Sequence, residues 1–308
     1  NELAKKMKAA RFKTGAIAFE SVELKFKLDE KGKPLGLFPK VRKDAHKLVE
    51  EFMLLANKKV AEFVQRNKLE NKKNTMVYRV HEEPDPEKVF KLAEFVRRFG
   101  YKISLEKNKL AASLNVMSEA VEGKPEQNVI QSQAIRAMSK ARYTTDEIGH
   151  YGLAFKHYSH FTSPIRRYPD MMAHRLLQHY LDGNKSPLKA PFDEKCKHSS
   201  EREKVAVEAE RASVKYKQVE FMQQFLNKEF TGVVSGVTEW GIYVEIEETK
   251  CEGMVRLADM HDDFYSFDEA KQQVIGKRYA ETFRIGDEVR IRVKGTNLEK
   301  RTIDLNMV

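Results

Sequence analysis

Apolar residues return at helical spacing after Asp44, where Leu48, Phe52, Leu55, Ala56, Val60 and Phe63 line one stripe behind that capping aspartate. That stripe is expected to face a core, which leaves Glu50 on the polar side with His46 one turn earlier and Asn57 two turns later. Upstream, VELKFKL (22–28) alternates apolar and polar, DEKGKP supplies a turn, and LGLFPKV (35–41) returns as a hairpin partner. Downstream come a short strand, YRVHEE (78–83), and a helix, PDPEKVFKLAEFVRRFG (84–100), with proline in its first turn and glycine at its stop. NVIQSQAIRAMSKARY (128–143) is helical in period, another helix runs from Pro169 to Leu181, and a long charged helix follows over about 193–228.

From Phe230 the texture changes. FTGVVSGVT, GIYVEI, GMVRLA, DEVRIRVKG and TIDLNMV are short β-rich runs between turn residues, the spacing of a small five-stranded barrel. The predicted fold class is α+β, with a mostly helical region over 1–228 and a barrel of the OB type over 229–308.

Composition narrows the function. A formal net charge of +10 in 308 residues favours a polyanionic partner, or simply serves solubility. Cys196 and Cys251 stand far apart without CxxC spacing, which argues against a disulfide framework or a zinc site and fits a reducing cytosol. No apolar run approaches the ~20 residues of a membrane span. The first residues, Asn1–Arg11, are a lysine-rich helical pattern without initiator methionine, so the chain is expected to open inside a longer protein.

The densest chemistry lies in HYSHFTSPIRRYPDMMAHRLLQHYL (157–181). Pro164 and Pro169 bracket Arg166 and Arg167 at the start of a helix, an arrangement suited to gripping phosphate. The competing reading is that one arginine pairs with Asp170 or with a carboxylate of the core. In the barrel, Trp240 and Tyr243 offer stacking rings, yet strict alternation sends them to opposite faces unless Gly241 marks a bend. Trp240 buried inside the barrel is the alternative.

HFTSPIRRYPD resembles the signature of the ribonuclease II/ribonuclease R family, and AIAFES (16–21), RKDAHKLVEEFMLLAN (42–57), HYGLAF (150–155) and AERAS (209–213) resemble the same catalytic RNB domain in order. The remainder is similar to an S1-type RNA-binding domain, and the ribonuclease R branch is the nearer likeness. The resemblance implies a processive 3′-to-5′ exoribonuclease that hydrolyses single-stranded RNA to nucleoside 5′-monophosphates in the cytoplasm. It implies that Arg166 holds the scissile phosphate, that Glu50 and Glu210 lie near the RNA 3′ end, and that Phe19 clamps its bases. Arg167, Trp240, Tyr243, Arg256, Asn297 and Arg301 are the further candidate RNA contacts; Arg256 stands where the family usually has a histidine.

Family hydrolysis uses magnesium held by aspartates, which the resemblance places upstream of Asn1. No such cluster is legible in the chain; Asp262 and Asp263 fall between barrel strands, and Asp85 in a proline-rich turn. The expected partners are therefore the 3′ end of single-stranded RNA and the missing N-terminal part of the same protein as a separate polypeptide. On its own the chain is expected to be inactive. A non-catalytic RNA-binding module and a ribosome-associated factor remain the rival classes.

Overall fold

A lysine-rich helix, α1 (Glu2–Lys13), comes first, and the alternating segment after it forms an antiparallel hairpin of β1 (Leu24–Leu28) and β2 (Pro34–Pro39). The long helix α2 (Asp44–Arg66) and the short β3 (Tyr78–Val80) follow. Next are α3 (Pro86–Arg97), α4 (Lys107–Ala120), α5 (Gln127–Ala137) and β4 (Arg142–Thr144), then α6 (Tyr168–Leu181) and α7 (Ala190–Met222). The remaining strands are β5 (Glu229–Val237), β6 (Gly241–Ile246), β7 (Glu252–Arg256), β8 (Tyr265–Asp268), β9 (Gln273–Gly276), β10 (Thr282–Arg284), β11 (Glu288–Asn297) and β12 (Thr302–Met307). This computed structural model describes residues 1–18, 24–40, 42–67, 73–269 and 271–308.

The helix α2 forms where its period put it but turns a different side inward. Its buried residues are Glu51, Asn57, Ala61, Val64 and Gln65, whereas Phe52 and Phe63 remain 42% and 38% exposed. Leu48, Leu55, Ala56 and Val60 are only half-buried. The inward polar groups all have partners distant in sequence: Arg11 for Glu51, the Tyr78 hydroxyl for Gln65, and Tyr158 and Phe161 for Asn57. Paired in this way, they escape most of the penalty of burial. The cap also shifts by one residue. Lys43 is the N-cap, and its amide donates to the His46 ring over 3.1 Å.

The helical period read over 128–143 stops early. Beyond α5 the chain extends, and Arg142–Thr144 pair antiparallel with Tyr78–Val80. That pairing rewards the β-preferring Tyr143 and Thr144, a long-range gain that local periodicity does not register. Around this ribbon, Ala61, Val64, Met76, Val77, Met172, Ala173 and Leu176 form one core.

The five expected strands close into a barrel in the order β11-β12-β7-β6-β5. Ile242, Val244, Ile246, Val255, Ile291 and Leu305 are all buried inside it, alternating with outward residues as a pleated strand requires. A side chain at Gly241 would meet the Val255 carbonyl at 2.2 Å, so only glycine permits the approach of β6 to β7. A small sheet, β10-β9-β8, is added between β7 and β11, and the sequence pattern did not announce it.

Packing divides the chain into two units that do not follow chain order. One comprises Asn1–Glu20, Val41–Ala120 and Gln133–Ala206; the other comprises Ser21–Lys40, Val121–Ser132 and Val207–Val308. The hairpin β1–β2 thus belongs with the barrel, whose core Phe26 and Leu37 help to cover.

Candidate nucleic-acid interface

The loop between Pro164 and Pro169 is fixed by groups that reach it from several elements. Ser159 Oγ donates to the Val77 carbonyl (2.6 Å), and the Arg79 amide donates to the Tyr158 carbonyl (3.0 Å). From α2, Asn57 accepts the Phe161 amide (2.9 Å) and donates to the Tyr158 hydroxyl (3.1 Å). The His174 ring of α6 stacks on Phe161 at 3.7 Å between centroids. With its walls pinned, the turn closes on itself, the Arg167 amide donating to the Ser163 carbonyl over 3.0 Å.

Asp170, with no exposed side-chain surface, separates the two arginines. Its Oδ1 accepts the Ser163 amide at 2.7 Å and an Arg167 Nη at 2.8 Å. Arg167 is therefore the arginine that pairs internally, as the competing reading of the motif had one of them do. Arg166 is exposed, and among the described residues its guanidinium has no hydrogen bond or ion pair. The phosphate grip read from sequence thus resolves into one outward cation and one internal brace.

Beneath the loop lies a polar cluster that the sequence reading did not single out. Arg79 pairs with Glu203 (2.6 Å) and lies 4.7 Å from the centroid of the Tyr143 ring. The Tyr143 hydroxyl meets His160 Nδ1 at 2.9 Å. Burial pushes the His160 pKa down to about 2, and the charges of Arg167, Arg79 and Arg166 push in the same direction. His150 falls to about 3, again by burial first and then by the neighbouring His81 and Arg79. With Arg79 paired to Glu203, Arg167 paired to Asp170 and both histidines held neutral, Arg166 is the arginine of this cluster whose charge is left for an anion.

The other sequence candidates scatter. Glu50 is half-exposed and pairs with Arg42, while its neighbour Glu51 is the buried carboxylate, held by Arg11. Phe19 lies outside the described residues. Glu210 belongs to the second unit, exposed on α7 beside a cleft of about 480 Å³ that Lys215 and Glu252 also line. There Lys215 donates to the Glu252 carbonyl (2.6 Å), and burial lowers its pKa. Among the described residues no group of three or more His, Cys, Asp or Glu is placed to hold a metal ion.

On the barrel, Trp240 sits in the turn before β6 rather than within a strand, so alternation does not govern it; it is 71% exposed. Tyr243 points outward from β6, half-buried, with its ring over Gly236. Register puts Gly241 opposite Arg256 and Tyr243 opposite Met254, so Trp240, Tyr243 and Arg256 share one end of the barrel face. Arg256 approaches Asp304 at 3.3 Å. Asn297 and Arg301 are not brought to this group. They lie at the turn joining β11 to β12, next to Thr302, and β12 runs parallel to β7 with Asp304 opposite Met254, which puts that turn at the far end of β7. Asn297 spends its side-chain oxygen on the Lys300 amide (2.8 Å), shaping the turn.

Comparison with known proteins bears on the same two regions. The family model for the RNB domain matches residues 1–183, and that for the S1 RNA binding domain matches residues 223–307. Ribonuclease R of Aquifex aeolicus is 37% identical over 97% of this chain and 42% of its own length. The apo form of Mycoplasma genitalium RNase R superposes with a TM-score of 0.91 at 25% identity, over 99% of this chain and 48% of that one. The same RNase R in complex with ribose methylated single-stranded RNA superposes at 0.90 with 24% identity, over the same shares of the two chains, 99% and 48%. The chain thus spans less than half the length of each of these proteins.

Proposed function

The chain belongs to the RNB domain family, with an S1 RNA binding domain after that region, and from this premise we propose that it holds the 3′ end of single-stranded RNA for a processive 3′-to-5′ exoribonuclease of the ribonuclease R type. The protein as a whole would release nucleoside 5′-monophosphates. One observation carries the reading most directly: Arg166 stands outward, without a partner among the described residues, on a loop that Asp170 and Arg167 brace from within. A guanidinium held out by a rigid loop can offer two parallel donors to one phosphate, at little cost in ordering. Trp240 and Tyr243 add stacking surfaces that tolerate any base, and Arg256 adds charge. The RNA 2′-hydroxyl supplies the chemical basis for preferring RNA over DNA. Magnesium, in this proposal, is held by carboxylates other than those described.

The test uses the chain as it stands. Binding to labelled oligo(A) is measured over a salt series, and the RNA is then incubated with magnesium and sized. Each phosphate neutralised contributes about −0.7 to the slope of log K against log salt, so several contacts should give a slope steeper than about −2. The RNA should be bound and remain full length. Failure to bind RNA would remove the reading. Mononucleotide release by this chain alone would show that its own residues hold the metal.

A further inference from the structure

The small sheet β8–β10 encloses, with the turn after β7, a cavity of about 610 Å³ lined in part by Leu257, His261, Phe264, Lys277 and Arg278. Two rings stand out into solvent here: Phe264, in the lining, at 71% exposure, and Tyr279, next to the lining residue Arg278, at 67%. A single exposed aromatic residue needs no explanation. These two, however, are tied to the same buried carboxylate. Asp263 accepts the amides of Phe264 at 2.6 Å, Arg278 at 2.9 Å and Tyr279 at 2.8 Å. A side chain at Gly276 would come within 2.5 Å of that carboxylate, so the knot has no slack. Both rings therefore spring from backbone that is fixed before any ligand arrives, which lowers the cost of stacking something on them.

The surroundings specify what that something is. Lys277 and Arg278 are exposed and have no ion pair among the described residues, and the Arg278 guanidinium lies 5.9 Å from the centroid of the Tyr279 ring. Opposing them are the Asp262 and Glu281 carboxylates, 2.7 and 2.9 Å from the Tyr265 hydroxyl, and the buried Asp263, whose charge is met by three backbone amides, so the site carries no excess of positive charge. A ligand here gains more from ring faces than from phosphate attraction. The cavity borders the turn that carries Trp240, since the amide of its wall residue Leu257 donates to the Trp240 carbonyl over 3.2 Å. Its volume lies within the range of sites that take a small organic ligand, such as one nucleotide.

We propose that this cavity and its rim form a base-stacking subsite for single-stranded RNA, in which Phe264 in the lining and Tyr279, next to the lining residue Arg278, receive the nucleotides that follow those on Trp240. The inference rests on the RNA reading above and adds a site on the sheet inserted into the barrel. Trp240 is the single tryptophan, so its fluorescence reports the barrel face separately from the new site. The experiment compares the chain with its Phe264→Ala/Tyr279→Ala double variant, using a long oligo(U), a short oligo(U) and an oligomer carrying 4-thiouridine for crosslinking. Stacking losses of this kind weaken binding on the order of 10- to 100-fold. The long oligomer should lose affinity by that much with its salt slope unchanged, while the short oligomer still quenches Trp240. Crosslinked peptides should include residue 264 or 279. Equal affinity of variant and parent for the long oligomer, or crosslinks confined to other peptides, would overturn the subsite while leaving the RNA reading intact. A parent chain that binds no RNA would overturn both.

Discussion

With one oxygen shared between the Ser163 amide and the Arg167 guanidinium, the buried Asp170 carboxylate commits Arg167 to the fold and leaves Arg166 to solvent. The two arginines should therefore fail in different ways. Arg167→Ala strands a buried charge, and breaking such a pair costs about 3 kcal/mol or more, which a melting curve would show directly. Arg166→Ala should leave the melting curve unchanged and reduce the salt slope of RNA binding by about 0.7, one phosphate's worth. In an assembled, active enzyme Arg166→Lys should slow single-turnover cleavage on the order of 100-fold with little change in affinity, since a point charge cannot replace the fork. A stable Arg167→Ala protein, or near-parent cleavage by Arg166→Lys, would reverse the assignment. The motif itself was legible, because prolines and arginines at that spacing are unusual. Which arginine faces outward was not, because it depends on a carboxylate whose burial no local pattern reveals.

At the scale of elements, α2 shows how far periodicity reaches. Helix existence follows from local spacing, and the helix is where that spacing put it. The choice of buried side follows from partners more than a turn away, here Arg11, Tyr78, Tyr158 and Phe161. Asn57 matters most, since it joins α2 to the segment that enters the arginine loop. Asn57→Ala would leave the Phe161 amide and the Tyr158 hydroxyl without their partner, at a cost of about 3 kcal/mol for the two together. Phe52→Ala, at a position 42% exposed, should cost less than about 1 kcal/mol. Urea denaturation of both variants checks this order, and a larger loss for Phe52 would mean that the apolar stripe is the inner face after all. The β8–β10 sheet escaped notice for a related reason: its strands are only three or four residues long, too short for alternation to register.

For the whole chain, the five barrel strands and the basic character were readable from pattern and charge, whereas the grouping of an N-terminal hairpin with a C-terminal barrel was not. Such grouping depends on pairings distant in sequence, and so does the pH response of the helical unit. His150 and His160 are kept neutral in the folded state, with pKa values of about 3 and about 2, chiefly by burial, and His81 is lowered for the same reason. In the unfolded chain each would titrate near 6.5. As pH falls below 6.5 the unfolded state gains protons that the folded state refuses, so stability declines from there down toward pH 3. The decline is at most about 1.4 kcal/mol per pH unit for each of these two histidines, on the order of 2 kcal/mol each between pH 7 and 5. Carboxylates with lowered pKa values, such as Glu62 and Asp146, act in the same direction but only below their unfolded values of 4.5 and 3.8, so they do not contribute in this window. Urea midpoints followed by circular dichroism should therefore drop between pH 7 and 5. His160→Gln, which cannot take up a proton, should show a smaller drop even if it is less stable at pH 7. An unchanged pH dependence in that variant would mean that His160 is protonated in the folded protein, contrary to its place beside Tyr143 and the arginines.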